Sequence, residues 1–217
     1  MCGRYTQHHT TEALVDRFAV QTVREPVTER YNVAPTQPTP VITFEGARCL
    51  DAFRWGLIPS WAKEPGSGII NARAETLAEK PSFKAALARR RCLLPADGFF
   101  EWKKEENGRQ PIHIRLKGGD LFAFAGLWEV WDSPEGAPLH TCAIVTVAPN
   151  DVLAPIHNRM PAILRPEDEA AWLDPAVKGA DALQLLRSYP AARMEAYAVS
   201  RRVNTPFFDD PVCILPQ

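Results

Sequence analysis

RCLLPADGFFEWKKEENGRQPIHIRL, residues 91–116, carries more fold information than any other run of this chain. RCLLP is a short apolar run that stops at Asp97-Gly98, as a buried strand stops at a turn. GFFEW and PIHIRL are rich in aromatic and β-branched residues, and between them lies Asn107-Gly108, a strong short hairpin signal. The stretch therefore reads as a strand, a turn and a hairpin with its tip at Asn107-Gly108. Downstream, LFAFAGLWEVW (121–131) and LHTCAIVTVA (139–148) continue the strands. Upstream, VITFEGARCLDAFRW (41–55) gives two more about a turn at Glu45-Gly46. NVAPTQPTP (32–40), with three prolines in nine residues, reads as extended loop. Helices are expected over TTEALVDRFAV (10–20) behind a threonine cap, over SFKAALARR (82–90) behind Ser82, and within 166–188 behind a first-turn proline. MEAYAVS (194–200) is a late strand. With strands in the middle and helices at the ends, the expected class is α+β. A single domain over 1–217 would hold a curved, mainly antiparallel, barrel-like sheet with peripheral helices.

At 217 residues, 46% of them hydrophobic and 24% charged, the chain has the composition of an ordinary globular domain. No apolar run approaches the roughly 18 residues of a membrane helix, and the polar start MCGRYTQHHT does not resemble a signal peptide. A reducing compartment, the cytoplasm, is expected. The five cysteines, Cys2, Cys49, Cys92, Cys142 and Cys213, agree: the number is odd and the spacing fits neither a disulfide framework nor a zinc site. No metal and no cofactor is indicated. Net charge is −1, but between Arg54 and Arg91 eight basic residues face three acids, whereas Pro166 to the end holds five basic and eight acidic residues. Such polarity lets a near-neutral protein hold phosphates on one side, although a solvated helix around 82–91 explains part of the excess.

Cys49, Cys92 and Cys142 sit in strand-like runs and read as small buried hydrophobes. Cys2 is different. Once the initiator methionine is removed, it carries an α-amine and a thiol on adjacent carbons. The amine, with a reference pKa near 7.7–8.0, is an imine former at neutral pH, and the neighbouring sulfur can close onto the imine carbon. An aldehyde would be trapped as a five-membered thiazolidine.

MCGR (1–4), RYNVAP (30–35), RWGLIPSW (54–61), INARAET (70–76), ADGFFEW (96–102) and IHNRMP (156–161), taken in this order, resemble the SRAP family of abasic-site processing proteins, with weaker support from AYAVSRRVN (196–204). The resemblance implies covalent capture of the ring-opened sugar aldehyde of an abasic site in single-stranded DNA. It implies Cys2 as the point of attachment, removal of Met1 as a peptidase-like step, and strand cleavage by β-elimination as an associated activity.

Glu101, among Phe99, Phe100 and Trp102, would be desolvated and its pKa raised, which suits a proton shuttle; as a solvent-facing partner of Lys103 it would do nothing of the kind. The resemblance favours the first and gives Glu101 a part in sugar opening and imine turnover. His157 owes its assignment as a proton carrier to the PIHNRMP match. Asn71, which cannot titrate, is assigned to positioning. The other histidines, His8, His9, His113 and His140, read as surface or strand residues. Arg4, Arg73 and Arg159, each two residues beyond a matched catalytic position, are expected at phosphates. Pro35 and Trp61 are expected to wedge or stack against bases, and Thr146 to line the strand end beside them. Relatives carry a second aromatic after Trp61; here that place is Ala62, so stacking is expected to be weaker. Trp55 reads as core. The expected partner is single-stranded DNA with abasic sites, including junctions with duplex, bound by a monomer in the cytoplasm, at the nucleoid in a bacterium.

Two other readings share these residues. MCG also opens the glutamine amidotransferases, but their downstream HRGPD-type and NGE-type motifs are missing here. A non-covalent single-strand binding module would use the same basic and aromatic residues without Cys2 chemistry.

Overall fold

The computed structural model describes residues 2–133 and 136–217. In chain order the elements are β1 (Tyr5–Gln7), α1 (Thr11–Phe18), β2 (Thr22–Val23), β3 (Arg30–Val33), β4 (Pro38–Phe44), β5 (Arg48–Trp55) and β6 (Asn71–Arg73). They are followed by α2 (Pro81–Arg89), β7 (Arg91–Ala96), β8 (Gly98–Glu105), β9 (Gly108–Leu116), β10 (Phe122–Trp131) and β11 (Leu139–Val147). The chain ends with β12 (Met160–Pro161), α3 (Glu169–Leu173), α4 (Gly179–Leu183) and β13 (Met194–Ala198).

The α+β expectation holds, and the sheet closes. Neighbours β5, β4, β7, β10 and β11 pair antiparallel in turn, and β11 returns to β5 in parallel through Thr141 opposite Arg54 and Cys142 opposite Trp55. Closure leaves these five strands without an open edge along the paired segments. A second sheet, ordered β13, β9, β8, β1, β3, packs beside the barrel.

The two adjacent phenylalanines of β8 explain how the sheets join. Side chains alternate along a strand, so Phe99 enters the main core with Tyr5, Trp55 and Phe124, while Phe100 enters a smaller cluster with Val199, Val203 and Cys213. Tyr5 packs edge-on against Trp55, with ring centres 5.4 Å apart, and against Phe124 at 5.8 Å. Trp55 is fully buried, as its sequence context indicated, and its indole N–H donates to Ile70 O.

Three local expectations shift. In the β8–β9 hairpin Glu105 pairs with Gly108, so the turn residues are Glu106 and Asn107, and Gly108 takes positive φ as the first paired residue of β9. Pro38 and Pro40 belong to β4, opposite Arg54 and Ala52. Beyond Ile42 opposite Leu93, no pairing joins β4 to β7, so the prolines withhold no N–H from a ladder on that side. Helix α2 starts two residues earlier than a cap at Ser82 requires. Lys80 is the residue before the first turn and Pro81 occupies it, since a fixed φ and a missing N–H are both tolerated there. Thr10 does cap α1, accepting from Ala13 N.

Gly98, at the start of β8, has ordinary φ but no room. A Cβ there would stand 2.2 Å from His113 Nε2 and 2.9 Å from Thr6 Oγ1. The His113 ring is buried and hydrogen-bonded to Tyr197 OH at 2.9 Å, so it cannot yield. Gly98→Ala should therefore lose about 1–3 kcal/mol by overpacking. Chemical denaturation should show the loss, and adding His113→Ala should recover part of it; an unchanged midpoint for the single variant would contradict this packing.

Candidate active site

Cys2 lies on the lead-in to β1. Tyr5 opposes Phe99 and Thr6 opposes Gly98, and the Phe100 N–H donates to Arg4 O at 2.9 Å, so the pairing with β8 continues toward the chain start. This brings Cys2 to Glu101. From the barrel side, β6 runs parallel to β11 with Asn71 beside Ile144. Asn71 Nδ2 donates to Cys2 O at 2.7 Å, while its Oδ1 is buried without a hydrogen-bond partner. That carbonyl oxygen is placed to accept from a donor near Cys2. His157, in the segment between β11 and β12, receives the Arg159 N–H on Nδ1 at 3.0 Å. The same Nδ1 lies 3.3 Å from Arg159 O, so the ring is held against the backbone of its own loop.

Cys2 is 0% exposed and Glu101 3% exposed. Burial pushes the Cys2 thiol well above its ordinary value, and the Glu101 charge pushes in the same direction. Burial also raises the Glu101 carboxyl, opposed in part by His157. The solvent-facing alternative for Glu101 is thereby overturned. Cys2, by contrast, is no more exposed than the structural cysteines, because its thiol packs into the main core. The thiol is kept protonated, with the Glu101 carboxyl near enough for its charge to add to the effect of burial.

Cys2 before β1, Glu101 of β8, Asn71 of β6 and the loop residue His157 thus come from four segments of the chain. Against family models, the model described as SOS response associated peptidase (SRAP) matches residues 1–206. The chain belongs to the SRAP family. Among curated relatives, the abasic site processing protein YoqW of Bacillus subtilis is 47% identical, with 99% of each chain covered. The abasic site processing protein HMCES of Gallus gallus is 34% identical, over 86% of this chain and 66% of its own. Among solved structures, a protein from Bacteroides thetaiotaomicron superposes with a TM-score of 0.89 at 29% identity, with both chains fully covered.

In this SRAP chain the expected DNA-binding residues differ widely in exposure. Trp61 is 67% exposed. It lies in a loop closed at its base by the Leu57–Ile69 bridge and by Gly56 and Gly68, whose backbones approach too closely for any Cβ. Ala62, which follows it in place of a second aromatic, offers its carbonyl to the Trp131 indole N–H at 2.7 Å. Arg73 is exposed and paired through its backbone to Thr146. Pro35 is half-buried, next to Thr36 at positive φ.

Arg4 and Arg159 are differently placed from what a phosphate contact needs. Arg4 is buried, and its guanidinium donates to Asn32 Oδ1 and Val203 O, both at 2.8 Å. Its hydrogen bonds go to the protein, tying β1 to the 201–205 segment. Arg159 makes a two-pronged ion pair with Glu75 at 2.7 and 2.9 Å and donates to Thr146 O. It holds the His157 segment against β6 and β11. Thr146 is fully buried, and its hydroxyl accepts from Arg159.

Asn32 and Glu75 carry no signal of their own in the sequence beyond standing inside the motifs RYNVAP and INARAET. Asn32 is fully buried, and its Nδ2 donates to Val203 O, Thr205 O and Phe208 O. The basic excess also thins: Arg91 is buried and donates to four backbone carbonyls, and Arg90 pairs with Glu129. Lys63, Arg73, Lys80, Lys84 and Arg89 stay exposed. Among the described residues no helix is long and apolar enough to cross a membrane.

Proposed function

We propose that this protein captures abasic sites in single-stranded DNA as a covalent thiazolidine on Cys2. The observation that carries the reading is the meeting of Cys2, Asn71 and a buried Glu101 at one point, in a chain whose relatives are named abasic site processing proteins. Met1, whose removal the reading requires, lies outside the described residues. With the Cys2 amine free, it attacks the open-chain aldehyde and expels water to give an imine. Asn71 holds the backbone of Cys2 still and offers Oδ1 to the amine. The thiol then adds across the imine: a C–S bond forms, and the sulfur proton passes through Glu101 to end on the ring nitrogen. His157 moves a proton to or from the sugar oxygen. A β-elimination from the same imine would cleave the strand, an associated lyase activity. The protein acts as a monomer in the cytoplasm, at the nucleoid in a bacterium, on single strands and their junctions with duplex. Arg73 meets a flanking phosphate, and Pro35 and Trp61 meet the bases.

An abasic single-stranded oligonucleotide should give a band that survives denaturing electrophoresis, with an intact mass lacking Met1 and carrying the strand less one water per imine formed. Release of both abasic and intact strands on denaturation would leave only the non-covalent module. Cys2-dependent ammonia release from glutamine would favour the amidotransferase reading. Trp61→Ala should weaken non-covalent binding of intact single strands by about 1–3 kcal/mol, the value of one base stack, in a fluorescence anisotropy titration. Unchanged affinity would remove Trp61 from the interface.

A further inference from the structure

His8 and His9 follow directly on β1, and both rings turn to one carboxylate. Neighbours in a strand point to opposite faces, so their convergence is a feature of how the chain leaves the sheet. His8 Nδ1 lies 2.9 Å from Asp97 Oδ1, and His9 Nδ1 lies 3.2 Å from Asp97 Oδ2. The three ligand atoms all fall within 4.8 Å of one another. Donors about 2.0–2.1 Å from a shared ion stand roughly 2.9–3.4 Å apart, and each imidazole already lies at such a distance from one oxygen of the carboxylate. His8 Nδ1 is buried and, in spite of this approach, makes no hydrogen bond of acceptable geometry.

The surroundings are built. Asp97 is 2% exposed and is oriented by the Thr6 hydroxyl and by the His8 backbone N–H at 2.7 Å. The His8 ring stacks on Tyr31 with centres 5.1 Å apart. The histidine side chains keep 30% and 29% exposure, which gives an ion a way in. Oriented carboxylate and imidazole donors with an open approach are what a metal site requires beyond its ligand count.

We propose that His8, His9 and Asp97 form a site for a borderline divalent transition metal, with Zn²⁺ the preferred ion. Two imidazoles and a single carboxylate suit Zn²⁺, Co²⁺ or Ni²⁺ and not Mg²⁺ or Ca²⁺, which prefer oxygen. The ion would clamp the end of β1 to the turn between β7 and β8. Those are the strands whose pairing holds Cys2 beside Glu101, so the clamp stiffens the reactive site without touching it. This inference stands independently of the thiazolidine reading.

The decisive experiment titrates Zn²⁺ into chelator-treated protein by calorimetry, with Co²⁺ absorption as a second probe, all in a Cys2→Ala background, since an N-terminal aminothiol binds zinc itself. One equivalent should bind, the melting temperature should rise, and Co²⁺ should develop visible d–d bands. His8→Ala and His9→Ala, each at a partly exposed position, should fold, which metal-free melting checks, and should weaken Zn²⁺ by about 10-fold or more. Absence of stoichiometric binding, or equal affinity in the parent and both histidine variants, would overturn the site. Asp97→Asn adds the same test wherever it folds.

Discussion

Cys2→Ser is expected to bring the yield of denaturation-resistant adduct on an abasic oligonucleotide down by roughly 100-fold or more, to background. Serine keeps the α-amine, so an imine can still form, but it reverses in water. Closing the ring needs a sulfur nucleophile, and an alcohol is far weaker at neutral pH. Borohydride treatment of the variant should trap the imine and restore a covalent band, which separates failure of ring closure from failure to bind. The fold should survive, since serine is slightly smaller than cysteine and the change replaces one buried sulfur, near Arg4 O at 3.8 Å, by an oxygen that can hydrogen-bond. A Cys2→Ser protein that still gives the stable band without borohydride would remove the thiol from the mechanism. An uncleaved N-terminal extension should have the same effect as the substitution, because it blocks the amine.

Glu101→Gln should slow attachment by about 10²–10⁴-fold in single turnover, the usual worth of a positioned proton carrier, with non-covalent affinity for the strand little altered. The pH profile gives the sharper signature. Burial raises the Glu101 carboxyl, so in the native protein the base form is lost, and the rate falls, as pH drops through that raised value. In the glutamine variant the Glu101 part of this acid limb should vanish, leaving only the fall that protonation of the α-amine causes. Stability should move the other way. A carboxyl whose folded pKa lies above its unfolded value favours folding in its protonated form, and that contribution is lost as pH rises through the folded pKa. A neutral glutamine removes the charge, so the variant should melt at the same or a higher temperature at pH 8. Slow attachment in a protein no less stable than the parent assigns the loss to chemistry. A rate within about threefold of the parent would leave Glu101 as a structural group.

Much of the secondary structure was legible because its signals are local. The apolar run of β7, the paired phenylalanines of β8 and the threonine before α1 each act within a few residues of themselves. Two local signals mislead, one against a stronger local signal and one against the setting of its strand. Ser82 is a good cap by type, but Pro81 fits the first turn better, and Pro38 and Pro40 look like loop until one knows that β4 has no partner on that side beyond Ile42. In the second case propensity yields to position in the sheet.

The linear chain by itself determined the residue types: an aminothiol at position 2, an amide at 71, a carboxylate among aromatics at 101 and a histidine at 157. It also determined the alternation that sends Phe99 and Phe100 into different cores. Only the tertiary structure decided which of these groups meet, because parallel return of β11 to β5 and pairing of β1 with β8 join segments about ninety residues apart. It decided equally that Arg4 and Arg159 bind protein groups and that His8 and His9 face Asp97. The physical reason is that hydrogen-bonding and electrostatic interactions act through distances of a few ångströms, and no local rule relates those distances to separation along the chain.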